Sequence, residues 1–299
     1  MFRLAHLSDP HLGPMPPAAL ADLASKRALG YLNWHLNRGR GKITSETLDR
    51  IVADIRLAEP DHVAVTGDIV NIALGEEIDR AAQWLARLGK AHDVSLVPGN
   101  HDAYVPGALA RAGRRWEPFL KGDGPEGHSF PYIRRRRSVA IIGTSSAVAT
   151  GPFMATGRFD VHQALILEEM LAHAGREGLC RVVLIHHPPV RGSTLWAARL
   201  IGQERFHAAI AASGAELVLH GHTHRSSLAW IPGRDGPVPV VGVPSAAASP
   251  SEEKRGGGWN LFEIEGGPGD CRITRIERGL AAGAAMLTEI ARELLVAPV

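Results

Sequence analysis

Histidines are concentrated in two short stretches of the sequence. The stretch LVLHGHTH carries His220, His222 and His224 directly after an apolar run. The earlier stretch VVLIHHPP contains His186 and His187. Neutral imidazole is a common ligand of transition metals, and imidazole also transfers protons near neutral pH. This part of the chain is therefore a candidate for metal binding or for acid–base catalysis.

Carboxylates and one amide occur in three further blocks, SDPH, TGD and GNHD. The blocks contribute Asp9, His11, Asp68, Asn100, His101 and Asp102. Mixed Asp, Asn and His ligands suit Mn, Fe, Co, Ni or Zn, whereas the absence of cysteine from the blocks argues against a structural zinc finger. These side chains outnumber the needs of one ion. Two ions about 3.5–4 Å apart that share one carboxylate would use them all.

The blocks follow segments whose apolar residues predict buried β-strands, each stopped by Gly, Pro, Asn or Asp. The predicted strands cover residues 2–9, 62–68, 93–100, 139–146, 181–189 and 216–224. Helical periodicity occurs near 48–55, with Thr44 or Ser45 as N-cap, near 78–88 and, less regularly, near 165–171. Alternating strands and helices predict an α/β layered fold, in which the carboxyl ends of the strands line the ligand crevice.

The last part of the chain predicts an antiparallel addition to this fold. Further strands are expected at 236–245, 259–266 and 270–279, followed by a helix from about 280 to 296. The stretch GDGPEGHSFP, at 122–131, predicts a loop. Because no internal repeat and no long linker occur, we expect one domain over the whole chain, residues 1–299.

Composition and charge disfavour several classes of protein. A formal net charge of +2 over 299 residues gives no reason to expect nucleic acid as a partner. Two cysteines do not make a disulfide framework, which favours a reduced compartment. The sequence has neither an apolar signal region nor an apolar stretch of about 18 residues. We therefore expect a cytoplasmic protein without a transmembrane helix.

The five blocks in their order resemble the motif set of the calcineurin-like metallophosphoesterase superfamily: D-x-H, G-D, G-N-H-[DE], H and G-H-x-H. Each block alone is a weak signal, but all five occur between residues 9 and 224. The resemblance implies a four-layer α-β-β-α sandwich of two mixed sheets flanked by helices. It also implies that two divalent metal ions are held by Asp9, His11 and His224, by Asn100, His186 and His222, and by Asp68 as the bridge.

The same resemblance implies roles in catalysis. His101 is expected to stabilise the transition state or to protonate the leaving group, with Asp102 as the partner of its imidazole. A hydroxide that bridges the two ions is the expected nucleophile. The substrate is expected to be a phosphorylated small molecule or lipid-linked compound with a phosphodiester or pyrophosphate bond. The family's protein phosphatases carry R-G-N-H-E where this chain has P-G-N-H-D.

Several alternatives to this function are open. Within the enzymes they are a UDP-sugar lipid pyrophosphatase, a phosphomonoesterase and a nuclease, although the balanced charge makes the nuclease unfavourable. The non-enzymatic alternative is a metal-binding scaffold that has lost catalysis. Loss of catalysis should delete a ligand or the residue at the His101 position, and every block is intact here.

Two assignments within the histidine stretches are also open. Side chains alternate faces along a strand, so His186 and His187 cannot both point at one metal ion. We favour His186 because the family usually uses the first histidine at that strand end. His220 lies outside the G-H-x-H block and either supports the ligands or simply packs.

Two basic segments have alternative interpretations. The segment 14–42 includes a basic and aromatic stretch from Lys26 to Lys42. It is either an amphipathic helix packed on the core or a cap that grips an anionic or lipid-linked substrate, with peripheral membrane contact as a variant. The run from Arg134 to Arg137 is expected in a solvated edge or loop, with contact to phosphate as the alternative.

Overall fold

The computed structural model describes residues 1–38, 45–124, 130–251, 253–284 and 286–297. Its strands are β1 (Phe2–Leu7), β2 (His62–Val65), β3 (Val94–Leu96), β4 (Tyr132–Arg136), β5 (Val139–Gly143), β6 (Gly157–Arg158), β7 (Cys180–Leu184), β8 (Leu200–Ile201), β9 (Leu217–His220), β10 (Ser227–Pro232), β11 (Pro237–Gly242), β12 (Gly258–Glu265), β13 (Arg272–Leu280) and β14 (Leu287–Val296). Its α-helices are α1 (Leu20–Leu23), α2 (Arg27–Asn33), α3 (Ser45–Leu57), α4 (Gly75–Leu88), α5 (Ala108–Trp116), α6 (Val161–Arg176) and α7 (Gln203–Ser213). The candidate N-cap Thr44 and part of the predicted loop, residues 125–129, lie outside the described residues.

Twelve of the strands form two mixed six-stranded sheets. The first sheet has the order β14-β13-β12-β1-β2-β3, and the second has the order β10-β11-β9-β7-β5-β4. Strands β1 to β3 are parallel to one another, as are β5, β7, β9 and β11. The carboxyl ends of the parallel strands therefore lie together along one edge of each sheet, which is where the five sequence blocks occur.

Alternating side chains build the layers. Leu4 of β1 and Leu184 of β7 belong to one buried cluster between the two sheets, together with the free thiols of Cys180 and Cys271. The neighbouring positions point outward, where helices α3, α4 and α5 cover the first sheet and helices α6 and α7 cover the second. The predicted four-layer α-β-β-α sandwich is confirmed.

The helix predicted from about 280 to 296 is wrong. The chain instead forms β14, which pairs antiparallel with β13 along most of its length. Leu295 of β14 is buried in the cluster between the sheets. Residues such as Ala, Glu, Leu and Arg favour a helix locally. Pairing with the hydrogen-bonding groups of β13 outweighs that propensity, since an unpaired strand edge leaves polar backbone groups without partners.

The basic run at 134–137 matches the expected solvated edge only in part, because β4 is an edge strand with Arg135 exposed, and Arg137 is exposed too, whereas Arg134 and Arg136 are buried. Its first three residues belong to β4, and Arg134 is only 2% exposed. The Arg134 guanidinium donates hydrogen bonds to five backbone carbonyls, those of Ala91, His92, Val94, Pro118 and Lys121. Arg136 pairs with Asp123 at 2.8 Å. These two arginines therefore hold loops together and are not available to phosphate.

The described part of the cap segment, residues 14–38, contains α1, α2 and a π-helical turn at Trp34–Arg38. Arg27 fixes α2 to the loop after β2, because its Nε donates to the Ile72 carbonyl at 2.9 Å and its second nitrogen donates to the Ala73 carbonyl at 2.5 Å. Arg40 and Lys42 of the basic stretch lie outside the described residues. No helix in the described ranges is long and apolar enough to cross a membrane.

Candidate metal centre

The two sheets deliver their polar blocks to one place. Ser8, at the end of β1, forms a bridge with Ser245, which follows β11, and so ties the strand ends of the two sheets together. The Ser245 hydroxyl donates to the Asp9 carbonyl at 2.7 Å. The backbone N–H of His222 donates to the Asp9 carboxylate at 3.0 Å. The first carboxylate of the site is therefore held by groups from the opposite sheet.

One group of candidate ligands consists of Asp9, His11 and His224. One potential ligand atom from each of the three lies within 4.8 Å of the others. The His224 Nε2 lies 3.1 Å from the Asp9 Oδ1 and 3.3 Å from the His11 Nε2. Asp9 and His11 are fully buried, whereas the His224 side chain is 38% exposed. This group therefore forms the more accessible side of the site.

A second group contains Asp68, Asn100 and His186. The His186 Nε2 lies 3.2 Å from the Asn100 Oδ1 and 3.4 Å from the Asp68 Oδ2. The other nitrogen of His186, Nδ1, donates to the Thr66 carbonyl at 2.6 Å. That hydrogen bond fixes the tautomer and turns Nε2 toward the carboxylate and the amide. His222 adjoins this group, with its ring centroid 5.1 Å from that of His186.

The two groups share their carboxylates. Ligand atoms of Asp9, Asp68 and His186 lie within 4.8 Å of one another, and so do those of His11, Asp68 and His101. Asp68 thus reaches members of both groups. Spacings of this size suit two ions about 3.5–4 Å apart with one carboxylate between them.

The charge states fit divalent cations. Burial would raise the pKa of Asp9, but the positive charge and hydrogen bond of His224 hold that pKa well below its usual range. Burial would likewise raise the pKa of Asp68, which the charges of His186 and His101 hold well below its usual range. Burial, followed by the charge of His186, lowers the pKa of His222 to about 4. The carboxylates are therefore ionised and His222 is neutral, which are the forms that metal ions bind. Burial would lower the pKa of His186, but the charge of Asp68 raises that pKa to about 9, so a metal ion would displace a proton from His186.

His186 and His187 differ in their contacts. The His187 Nδ1 lies 2.8 Å from the Ser146 hydroxyl, and its Nε2 lies 3.0 Å from the Ala155 carbonyl. Both nitrogens of His187 therefore have partners in the surrounding loops, although its ring also adjoins His222. Ligand atoms of His186, His187 and His222 nevertheless lie within 4.8 Å of one another, so the expectation that the two neighbouring histidines cannot face one ion is wrong. The choice of His186 as the ligand is supported by the loop contacts of His187 alone. His220 is buried, with its Nδ1 2.9 Å from the Gly221 carbonyl.

Asp102 does not make the contact that we expected with the imidazole of His101. The fully buried carboxylate of Asp102 accepts backbone N–H groups from Gly99, Asp68, Ile69 and Val70 at 2.8–3.2 Å. The Nδ1 of His101 instead makes a short hydrogen bond to the Asn71 carbonyl. Asp102 therefore clamps the loops after β2 and β3, and the backbone of Asn71 orients the imidazole.

Strained backbone marks five of the candidate ligands. Left-handed φ values occur at Asp9 (53°), His11 (39°), Asp68 (55°), His222 (68°) and His224 (55°). Non-glycine residues adopt this conformation rarely and at a free-energy cost. Each of these residues follows a strand, so the left-handed turn redirects the side chain from the strand direction into the site.

This strain gives a measurable prediction for His224. We expect His224→Gly to be more stable than His224→Ala by about 1 kcal/mol in excess chelator, because glycine adopts the left-handed conformation without a Cβ penalty. Urea unfolding of the two variants gives the difference. The control pair is Leu228→Gly and Leu228→Ala within β10, where alanine should be the more stable. Equal stability of the two His224 variants would contradict the strain argument.

Several supporting residues were missed by the sequence analysis. Tyr104 stacks on the ring of His101 with centroids 5.6 Å apart, and Ser245 braces Asp9 from the other sheet. Neither occurs in a recognisable motif. Gly99 and Gly221, by contrast, stand inside the quoted blocks. A Cβ at Gly99 would collide with the Asp68 carboxylate, and a Cβ at Gly221 would collide with Ser8 and Asp9, so both glycines permit close packing around the site.

Comparisons with known proteins agree with this geometry. A family model described as calcineurin-like phosphoesterase matches residues 2–226. A curated relative from Synechococcus sp., named "Probable cyclic nucleotide phosphodiesterase", is 25% identical over 274 residues, which are 88% of this chain and 87% of the relative.

Solved structures share the fold. A dimetal phosphatase from Danio rerio superposes with a TM-score of 0.62 and 13% identity, covering 99% of this chain and 98% of that chain. The purple acid phosphatase PPD1 from yellow lupin superposes with a TM-score of 0.61 and 12% identity, covering 96% of this chain and 52% of that chain. The family match spans all five sequence blocks and both sets of strand ends. The chain therefore belongs to the calcineurin-like phosphoesterase family.

Proposed function

We propose that this protein is a dinuclear metal-dependent hydrolase of phosphodiester or pyrophosphate bonds. The observation that carries the proposal is the pair of ligand groups joined through Asp68. Asp9, His11 and His224 would hold one ion, and Asn100, His186 and His222 would hold the other. The Nε2 of His222 faces the Ala198 carbonyl at 3.0 Å, which leaves Nδ1 as the nitrogen for the ion. Mn, Fe, Co, Ni and Zn all suit these donors.

When bound, two divalent cations neutralise phosphate oxygens and acidify water. The remaining chemistry belongs to His101. The Asn71 carbonyl holds the imidazole through Nδ1, and Nε2 would donate to an equatorial phosphate oxygen or to the leaving oxygen. Stacking on Tyr104 and the hydrogen bond from the His101 backbone N–H to the Asp68 carboxylate at 2.7 Å hold the residue in place.

The space beside the site supports a substrate with an organic group on the phosphate. A cavity of about 360 Å³ opens next to His224 and is also lined by Arg225, Arg255 and the glycines at 256–258. Cavities of this size accommodate small organic ligands. A diester such as a cyclic nucleotide, the substrate class in the name of the Synechococcus relative, fits this description.

A second candidate function is hydrolysis of a lipid-linked pyrophosphate, such as a UDP-sugar lipid. The observation that favours it is a row of exposed leucines on the cap segment. Leu29, Leu32 and Leu36 are 45%, 56% and 50% exposed, and their spacing follows the helical period. An exposed apolar row beside a hydrolytic site is suited to acyl chains or to a membrane surface.

A substrate panel with metal analysis tests both candidates. Metal content is measured on purified protein, and turnover is measured with bis-p-nitrophenyl phosphate, p-nitrophenyl phosphate, cyclic AMP, single-stranded DNA and a UDP-sugar lipid. We expect about two metal ions per chain and faster hydrolysis of the diester than of the monoester. Preference for the monoester would contradict the diesterase proposal, and metal binding without any turnover would favour the scaffold. Exclusive turnover of the lipid would select the second candidate.

A further inference from the structure

Lys26 places an ammonium group beside the candidate site. Its Nζ lies 3.0 Å from the Thr150 hydroxyl and 3.2 Å from the Thr150 carbonyl. The same Nζ lies 4.4 Å from the centroid of the Tyr104 ring. An ammonium has three N–H donors, and two of them go to Thr150. Among the described residues, the third donor has no hydrogen-bond acceptor.

No carboxylate of the described residues neutralises the charge of Lys26. Within the described ranges, no carboxylate lies within 4.0 Å of its Nζ, and its oxygen partners on Thr150 are neutral. Burial lowers the pKa of Lys26, which is the expected response of a cation removed from water without a counter-charge. An anion that binds beside Lys26 would supply the missing charge.

The position of Lys26 is fixed relative to His101. Both contact Tyr104, with the Lys26 Nζ over its ring and the His101 imidazole stacked on it. Gly30 of α2 allows this arrangement, because a Cβ there would collide with the Tyr104 hydroxyl. A small cavity of about 30 Å³ at this junction is lined by Gly30, Asn33, Trp34, Asn71, Ile72, His101 and Tyr104. The cap segment thus forms a wall of the site on the His101 side.

We propose that Lys26 binds a second anionic group of the substrate, next to the phosphoryl group that reacts. The inference rests on the proposed hydrolase function and narrows it. The reacting phosphoryl group would lie at the carboxylates and His101, and Lys26 contacts the same tyrosine ring as His101, so its ammonium would meet a neighbouring group of the substrate. A pyrophosphate diester carries a second phosphate at that place, whereas a simple phosphodiester does not. Lys26 therefore selects pyrophosphate-type substrates.

Binding of non-hydrolysable ligands tests this selection independently of turnover. Calorimetry on manganese-loaded protein compares methylenediphosphonate, which has two phosphoryl groups, with inorganic phosphate, which has one. Lys26→Met should lower the affinity for methylenediphosphonate about tenfold or more, because a charge-assisted hydrogen bond is lost. Phosphate affinity should change less than twofold. Lys26→Arg, which keeps the charge, should retain at least half of the selectivity.

The matched control is Lys90→Met, which removes an exposed lysine at the opposite end of β3 and should change neither affinity. If Lys26→Met lowered the affinity for both ligands equally, Lys26 would only stabilise the folded cap segment, and the proposal would be overturned. Unchanged binding of methylenediphosphonate would overturn it as well. Failure of the hydrolase function appears separately, as absence of turnover in the substrate panel while the ligand selectivity persists.

Discussion

Replacing His101 by alanine is expected to lower turnover by about 10²–10⁴-fold, the range for loss of a positioned acid–base group, while the metal content stays at the wild-type level. The reason is that the Asn71 carbonyl orients the imidazole through Nδ1, and the other ring nitrogen would donate to the substrate. The KM should change much less than kcat, because the interaction strengthens in the transition state. Steady-state kinetics with bis-p-nitrophenyl phosphate and metal analysis of the same preparation measure both quantities.

The rival interpretation of His101 is that it binds a metal ion, since its ring lies near ligand atoms of His11 and Asp68. In that case metal content and turnover would fall together in His101→Ala. The control variant is His162→Ala, an exposed position on α6 that should leave both quantities unchanged. If His101→Ala lost metal and turnover to the same extent, His101 would be a metal ligand and not a catalytic residue.

Replacing Asp68 by asparagine is expected to remove metal and activity together. Asp68 is 1% exposed and reaches both ligand groups, so the neutral amide loses the negative charge between the two ions. Loss of residues that only support metal ligands typically costs about 10–100-fold, so the loss at this shared carboxylate should exceed about 100-fold. Asparagine is nearly isosteric, and its amide oxygen can still accept the His101 backbone N–H.

Metal analysis and kinetics of Asp68→Asn are compared with those of Asp270→Asn. Asp270 is exposed in the turn between β12 and β13, at the end of the sheet away from the site. Its variant should behave like wild type. Retention of both metal ions by Asp68→Asn, with only a modest loss of turnover, would show that the two groups do not share this carboxylate and would contradict the dinuclear proposal.

The strand pattern of the sequence predicted most of the fold that positions the site. Val, Ile and Leu runs stopped by polar blocks give the parallel strands, and the geometry of parallel sheets then gathers the blocks at one edge. The location of residues such as Asp9, Asp68 and His224 follows from that rule. Local pattern is sufficient there because burial on both faces leaves little choice of conformation for each run.

The remaining features of the fold and of the site depend on contacts between residues far apart in the chain, which the local sequence pattern does not contain. Helix propensity at 287–296 was outweighed by pairing with β13, and the burial of Arg134 depends on loop carbonyls up to 43 residues away in the chain. Asp102 is of the residue type expected beside a catalytic histidine, but its carboxylate accepts hydrogen bonds from backbone N–H groups instead. The contacts of Lys26 with Tyr104 and of Tyr104 with His101 join the cap segment to the loop after β3, and the proximity of these two segments appears only in the folded chain.

The candidate ligands and the last five strands lie in different parts of the chain, so natural substitutions in the two parts should have different effects. Every candidate ligand precedes β10, yet β10 to β14 complete one side of both sheets, with β12 beside β1 and β11 beside β9. Substitutions in that final quarter should chiefly alter how much folded protein accumulates, because uncovered strand edges invite association between chains. A destabilising substitution there would lower the amount of folded protein, whereas a substitution in the histidine blocks would leave the amount of protein unchanged but remove its activity.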